Sequence, residues 1–153
     1  HGGIEDARRS NLGYLQGFML DWLAKGQLAI GDHHAALTSI DAALKNVSAI
    51  TGRAWEAELH RMRGEILLAE NPSKESSSRD AAEQCWREGL SVAQRQQARS
   101  LELRAAMSLA KLLHAKSCRN EARSLLAPVY DWFTEGFATA DLKEAKGLLE
   151  MFG

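Results

Sequence analysis

The residues that could do chemistry in this chain are few, and they do not fall into catalytic or metal-binding spacings. His33 and His34 are adjacent, whereas two metal ligands on one helix face stand about four residues apart. His60 and His114 stand among basic residues, with no acidic partner at a catalytic spacing. The sequence contains no phosphate-binding, dinucleotide-binding, zinc-protease or nucleophile-elbow motif. We therefore expect no enzymatic activity, no cofactor and no metal.

The two cysteines do not change this expectation. Cys85 and Cys118 are too few and too far apart for a disulfide framework or a zinc motif. Cys85 lies on an apolar helical stripe, where a small buried side chain is expected, and Cys118 lies in a turn. This cysteine usage is typical of a reducing compartment, so a cytoplasmic location is predicted.

Charge and hydropathy exclude two classes of partner. Nineteen Lys and Arg stand against twenty Asp and Glu, for a formal charge of −1, so we expect neither nucleic acid nor an anionic membrane as a partner. No apolar run approaches the roughly 20 residues that a membrane span needs. The chain opens with His1-Gly2-Gly3 instead of Met, and we interpret it as a piece of a longer protein.

Apolar residues recur at helical spacing along almost the whole chain, and no alternating run predicts a strand. The fold class is therefore all-α. Asp32 is expected to be the N-cap of the second helix, because its carboxylate can accept the free amides of the first turn. Six helical stripes begin near Leu15, Ala36, Trp55, Ala82, Leu101 and Ala122.

The helices can be superposed as three pairs, at about 12–51, 52–97 and 100–135, after a flexible segment 1–11 and before a capping helix at about 140–152. Ala24, Gly64 and Ala110 fall at one equivalent position, where a small residue lets a neighbouring helix approach closely. The pattern predicts a tetratricopeptide-like, right-handed superhelix. The equivalent positions of successive pairs are 40 and 46 residues apart, whereas a standard tetratricopeptide repeat is about 34 residues long.

The first helices of such pairs line the concave side, which gives a set of candidate groove-lining residues. A lysine and asparagine clamp for a terminal carboxylate is absent, because Asp21 and Lys25 occupy its first sites. The alternative is that these charges pair with one another along exposed faces, where each pair contributes little. The groove-lining set comprises Phe18, Asp21, Lys25, Glu58, Arg61, Glu65, Arg104, Met107, Lys111 and His114.

An aromatic cluster near the C-terminus is the second candidate site. Pro128 lacks an amide donor and is expected to kink or break the sixth helix, which would turn the rings that follow it away from the repeat axis. Phe137 is expected to pack against Trp132 after a left-handed Gly136. We interpret the cluster as structural, joining a capping helix to the sixth helix, with a ligand pocket as the alternative. Its members are Pro128, Tyr130, Trp132, Phe133 and Phe137.

The capping helix itself has clear end signals. Thr139 is a suitable N-cap, and Asp141 is placed favourably near the positive end of the helix dipole. An apolar face is formed by Leu142, Ala145, Leu149 and Phe152.

Two segments, "WEAELHRMRGEILLA" and "EARSLLAPVYDWFTEGFATADLKEAKGLL", resemble the C-terminal region of large bacterial signalling regulators. In these proteins a class III adenylate or guanylate cyclase domain, or a DNA-binding domain, precedes an ATPase module and a tetratricopeptide-like tail. The resemblance spans residues 12 to 152. It implies a regulatory superhelix whose catalytic parts lie elsewhere.

Two functions are therefore expected from the sequence. The first is a non-catalytic regulatory module that binds a protein, a peptide, a small effector or the neighbouring domains of its own parent chain. The second is a structural scaffold that associates with itself through exposed repeat ends, including Leu12, Leu15 and Met19.

Overall fold

The computed structural model describes residues 2–47, 52–71 and 76–153, with side chains described from residue 15 onward. These residues form seven α-helices and one short 3-10 helix, without a strand, so the all-α prediction is confirmed. The α-helices are α1 (Gly2–Ala29), α2 (His33–Val47), α3 (Glu56–Glu70), α4 (Ser76–Gln96), α5 (Arg99–Ala115), α6 (Arg119–Asp131) and α7 (Ala140–Phe152), with the 3-10 helix at Gly52–Trp55 before α3.

Helix α1 begins at Gly2, ahead of residue 12, where the sequence analysis placed the start of the helical domain. The physical reason is that Ala, Arg and Glu within residues 4–9 are good helix formers, with no Pro to stop the helix. The later helices are α3 and α4 between residues 56 and 96, α5 and α6 between residues 99 and 131, and α7 from Ala140 to Phe152.

The helices pack in chain order, and each contacts the next. The odd-numbered helices also contact one another, α1 with α3, α3 with α5 and α5 with α7. They therefore share one layer of the molecule, and side chains from α1, α3, α5 and α7 can reach a common surface.

The turn between α1 and α2 follows the expected local chemistry. Gly31 has φ +81, a left-handed conformation that glycine adopts without strain. The amide of Ala35 donates to Asp32 Oδ1 at 3.1 Å, which confirms Asp32 as the N-cap of α2.

Close approach between α3 and α4 depends on Gly64. A Cβ added at Gly64 would lie 2.5 Å from Nε1 of Trp86. The indole N–H of Trp86 donates to the carbonyl of Arg61 at 3.0 Å, so the ring is fixed over the glycine. This confirms the expectation that a small residue at position 64 admits a large one from the next helix.

The apolar core forms two main clusters. One joins α1, α2 and α3 through Ala24, Ile40 and Leu59. The other joins α4 to α7 and includes Trp86 and Phe152. Each helix pair is therefore tied to the next by a buried apolar layer.

Helix α6 is not broken at Pro128; it continues to Asp131, so the expected break is wrong. A proline removes one donor and crowds one carbonyl, and here only three residues of helix follow it before the end at Asp131. Gly136 has φ +77, as expected for a left-handed glycine.

The aromatic cluster is less buried than expected. Trp132 is 55% exposed and Phe137 is 45% exposed. Phe137 packs on Tyr130, with ring centroids 5.9 Å apart, whereas Trp132 contacts Phe133 at 5.2 Å. From this cluster, Tyr130 and Phe133 pack against the core.

The capping helix is held mainly by its own apolar face. Leu142, Ala145, Leu148 and Phe152 are buried, while Leu149, expected among them, is only partly buried. Thr139 is the N-cap of α7 but makes no side-chain capping hydrogen bond. In the described part of the chain, no helix is both long enough and apolar enough to cross a membrane.

Candidate functional site

Seven of the ten predicted groove residues line one small cavity of about 220 Å³ on the odd-helix layer. This cavity is called the charged groove here. Its walls come from α1, α3, α5 and α7, since those helices share a layer. It is lined by Lys25, Glu58, Arg61, Glu65, Arg104, Met107, Ser108, Lys111, Asp141 and Glu144.

Glu58 is the centre of the charged groove. Its carboxylate is 1% exposed and receives two hydrogen bonds from Arg61, at 2.9 and 2.8 Å. Lys25 Nζ lies 3.4 Å from Glu58 Oε1 and Arg104 Nη1 lies 3.5 Å from it. One carboxylate therefore links α1, α3 and α5, which are far apart in sequence.

The remaining charges of the groove also have partners. Arg61 contacts Glu65 at 3.3 Å, and Ser108 donates to Glu65 at 2.7 Å. Arg104 donates to Asp141 Oδ2 at 2.8 Å. Each cation of the groove is therefore already paired with a carboxylate.

Lys111 and Glu144 close the groove on the side of α7, where the ammonium donates to the carboxylate. Both side chains are about half exposed. The groove therefore borders solvent at this pair. An exposed pair of this kind contributes little to stability.

Three predicted groove residues are not among the residues that line this cavity. Asp21 is fully buried beside the groove and accepts a hydrogen bond from Lys25 at 2.7 Å. His114 stacks on Phe152 of the capping helix, with ring centroids 5.1 Å apart. Phe18 is 37% exposed and packs between two indole rings, with centroids 6.0 Å from Trp22 and 5.9 Å from Trp55. In each case the helical spacing predicted approximately which face of the helix carries the side chain. The contacts of the side chain depend on the neighbouring helix.

The electrostatics of the groove favour fixed charges. Burial alone would raise the pKa of Glu58, but the hydrogen bond from Arg61 and the charges of its three cationic neighbours outweigh burial and lower the pKa. Burial alone would lower the pKa of Arg61, and its bonds and charges from Glu58 and Glu65 raise it instead. Pairing with opposite charges thus favours the ionised forms of both Glu58 and Arg61.

Asp141 and Glu144 are groove residues that the sequence analysis did not assign to it, and Ser108 is a third. They come from α7 and from the face of α5 toward α3. The available signal was charge complementarity, since acidic residues of the capping helix could meet Arg104 and Lys111 if α7 packs on α5.

A second surface lies on the outer face of α1, opposite its buried face. We call it the α1 stripe. Five of its residues, from Leu15 to Leu23, recur at spacings of three and four, so they share one side of the helix. The sixth, Ile30, follows directly after the helix ends at Ala29. All are more than a third exposed: Leu15, Phe18, Met19, Trp22, Leu23 and Ile30.

The α1 stripe corresponds to a face that is buried in α3. Under the alignment of Ala24 with Gly64, Met19 is equivalent to Leu59 and Trp22 to Met62. Leu59 and Met62 lie in one apolar cluster with residues of α2. In contrast, Met19 is 67% exposed and Trp22 is 62% exposed. The α1 stripe therefore has the chemistry of a helix-packing face without a helix on it.

Two larger cavities lie along the even helices. One, of about 490 Å³, is bordered by Val47, Arg53 and Arg95. The other, of about 440 Å³, is bordered by His60, Arg63 and Cys85.

In the cavity of about 440 Å³, the groups that could do chemistry are His60 and Cys85. Burial lowers the pKa of His60, and the thiol of Cys85 accepts a hydrogen bond from Arg63 at 3.4 Å. Within the described residues, no three His, Cys, Asp or Glu side chains are grouped to hold a metal ion.

Comparisons with known proteins found no matching protein-family model, no matching curated protein and no matching solved structure.

Proposed function

We propose that this chain is a non-catalytic, tetratricopeptide-like protein-interaction module that binds an amphipathic helix of a partner on the α1 stripe. The single observation that carries the proposal is the exposure of Met19 and Trp22, whose equivalents Leu59 and Met62 are covered by α2. An uncovered apolar face of this extent is typical of an interaction site.

The superhelical arrangement is part of the proposal. Helix pairs in chain order, with odd helices sharing one layer, are what a tetratricopeptide-like stack requires. The close contact of Gly64 with Trp86 is of the kind that repeats use between their two helices.

The charged groove has a supporting role in this function. Because Glu58 bridges cations of α1, α3 and α5, it fixes α1 relative to the rest of the stack. A rigidly held α1 binds a partner without first being ordered, which improves affinity. The mutual pairing of its charges makes the groove a poorer binding surface than the stripe.

The role of the module within a larger protein is inferred from the resemblance of residues 12 to 152 to the C-terminal regions of bacterial signalling regulators. We propose that the module acts in the cytoplasm and couples binding of a partner protein to the output of a cyclase, an ATPase or a DNA-binding domain. A second candidate function, a self-association scaffold, is favoured by the same stripe.

The test uses a synthetic peptide of residues 33–47 as the probe, because α2 covers the α3 face that is equivalent to the α1 stripe. A fluorescein-labelled peptide should bind the protein saturably, measured by anisotropy. A peptide carrying Ile40→Glu should not bind, since Ile40 is fully buried against α3 in the intact chain.

The matched protein variants are Met19→Lys and Met151→Lys. Both methionines are more than half exposed, but only Met19 lies on the stripe. Met19→Lys should weaken peptide binding by about tenfold or more, and Met151→Lys should leave it unchanged. Equal binding by both variants, or no binding by the unaltered protein at concentrations at which it is monomeric, would refute the proposed function.

A further inference from the structure

The α1 stripe is continuous and has no charged residue within it. Between residues 15 and 30 the only ionisable residues are Asp21 and Lys25. Asp21 is buried on the opposite side of α1, and Lys25 is turned into the charged groove, where it pairs with Asp21 and Glu58. A second molecule that packs on the stripe therefore meets no unpaired charge from residues 15–30.

Gly26 lies near the middle of the exposed face. A Cβ added there would contact nothing within 4 Å, so the space above the helix is open at this point. Trp22 lies four residues before Gly26 and Ile30 four residues after it. The glycine therefore leaves a depression between two large apolar side chains. Such a shape lets a second helix cross closely, because the backbones can approach at the glycine.

From this geometry we propose that the partner of the α1 stripe is a second copy of this chain, which packs its own α1 stripe on the first about a two-fold axis. This inference rests on the proposed function, since it names the helix that the stripe binds. In a two-fold contact the same patch faces itself. The lack of charge matters here, because any unpaired charge in the patch would lie close to its own copy and repel it.

The exposed area is sufficient for such a dimer. A large side chain such as Trp or Phe presents on the order of 150 to 250 Å² when fully exposed. The six stripe residues are between 37 and 81% exposed, so each copy contributes about 500 Å² of apolar surface when about 150 Å² is taken for each fully exposed side chain. Two copies would then cover roughly 1,000 Å², which is the lower limit expected of a specific interface.

The other end of the molecule does not offer an equivalent surface. The last even helix, α6, is covered by α7. The outward residues of α7 are Lys143, Glu144, Lys146, Gly147, Glu150 and Met151. This polar face would leave charges unpaired against the α1 stripe. Head-to-tail stacking through α7 is thus disfavoured, and so is the open polymer that it would produce.

One exposed aromatic surface remains near the C-terminus, formed by Trp132 and Phe137. The guanidinium of Arg99 lies 5.2 Å from the centre of the Trp132 ring. Trp132 is therefore partnered within its own chain by a cation, which makes it a poorer match for an apolar stripe than a second α1.

The experiment is sedimentation velocity or light scattering of the full chain over a wide concentration range. We expect a mass that rises to twice the monomer value of 16.8 kDa and then stops. Met19→Lys and Trp22→Lys should each raise the dissociation constant by about a hundredfold or more, because two buried lysines would face each other. Met19→Leu should preserve the dimer.

Met151→Lys and Trp132→Lys are the control variants, and circular dichroism melts of all variants confirm that they fold. Loss of the dimer in either control, a mass that grows beyond two copies, or a monomer at every concentration would overturn the inference. If the peptide of residues 33–47 binds the stripe while the chain stays monomeric, the proposed function stands and only the second copy is excluded.

Discussion

Gly64→Ala is the change for which the structure predicts an outcome opposite to general helix propensity. Within a helix, Ala is favoured over Gly by about 0.8 to 1.0 kcal/mol. At Gly64, however, the new methyl would lie 2.5 Å from Nε1 and 2.9 Å from Cδ1 of Trp86. The indole is 2% exposed and hydrogen-bonded to the carbonyl of Arg61, so it cannot move without opening that bond.

The expected cost can be estimated from these contacts. Overpacking of a well-packed core costs about 1 to 3 kcal/mol, and loss of the indole hydrogen bond about 0.5 to 1.5 kcal/mol. After subtraction of the propensity gain, Gly64→Ala should lower the free energy of unfolding by about 2 kcal/mol. For a chain of this length the melting temperature should fall by about 4 to 8 °C.

Gly147→Ala is the matched control, since Gly147 lies within α7 and a Cβ there would contact nothing within 4 Å. It should raise the melting temperature by about 1 to 4 °C. The assay is thermal denaturation followed by circular dichroism. A Trp86→Phe background should reduce the cost of Gly64→Ala, because the nitrogen-bearing ring that meets the new methyl is removed. If Gly64→Ala and Gly147→Ala shift the melting temperature in the same direction, the reasoning about the α3–α4 contact is wrong.

The charged groove and the capping helix give two further predictions. Glu58→Gln should lower the free energy of unfolding by about 2 to 3 kcal/mol in urea denaturation, because it removes the buried carboxylate charge that Lys25, Arg61 and Arg104 share. Glu144→Gln at the exposed edge should change it by less than about 0.5 kcal/mol. The contribution of Glu58 should be complete above its ordinary pKa of 4.5 and should be lost as the pH falls toward its lowered folded pKa; an identical acid response in Glu58→Gln would contradict the assigned pairing. Phe152→Ala should lower the free energy of unfolding by about 3 to 5 kcal/mol. Trp132→Ala should lower it by about 1 kcal/mol, the approximate value of its exposed cation–π contact. If thermal melts rank these two variants the other way, the capping helix depends on the aromatic cluster.

Much of the fold was predictable from local patterns in the sequence. Helical spacing of apolar residues indicated the paired helices and the capping helix, because such a pattern depends only on the geometry of one helix. Asp32 at an N-cap and Gly136 in a left-handed conformation were predictable for the same reason, since both are constraints on a few adjacent residues. The small residue at position 64 was also identifiable from its repeated position.

Pairing between side chains of different helices required the tertiary structure. Glu58 is joined to Lys25 and Arg104, and no pattern within α3 identifies those partners. Likewise, the contacts of Arg104 and Lys111 with α7 depend on where the capping helix lies on α5. The sequence predicted which residues face the odd-helix layer, and packing decided that their charges neutralise one another.

Exposure was predictable for part of the chain only. Leu15 and Met19 were expected at an exposed repeat end, and both are exposed, whereas Leu59 at the equivalent position of α3 is buried. Trp132 was expected to help join the capping helix to α6, and it lies at the surface instead. The physical reason is that a hydrophobic stripe specifies a face that can be buried, whereas its burial depends on another helix being present to cover it.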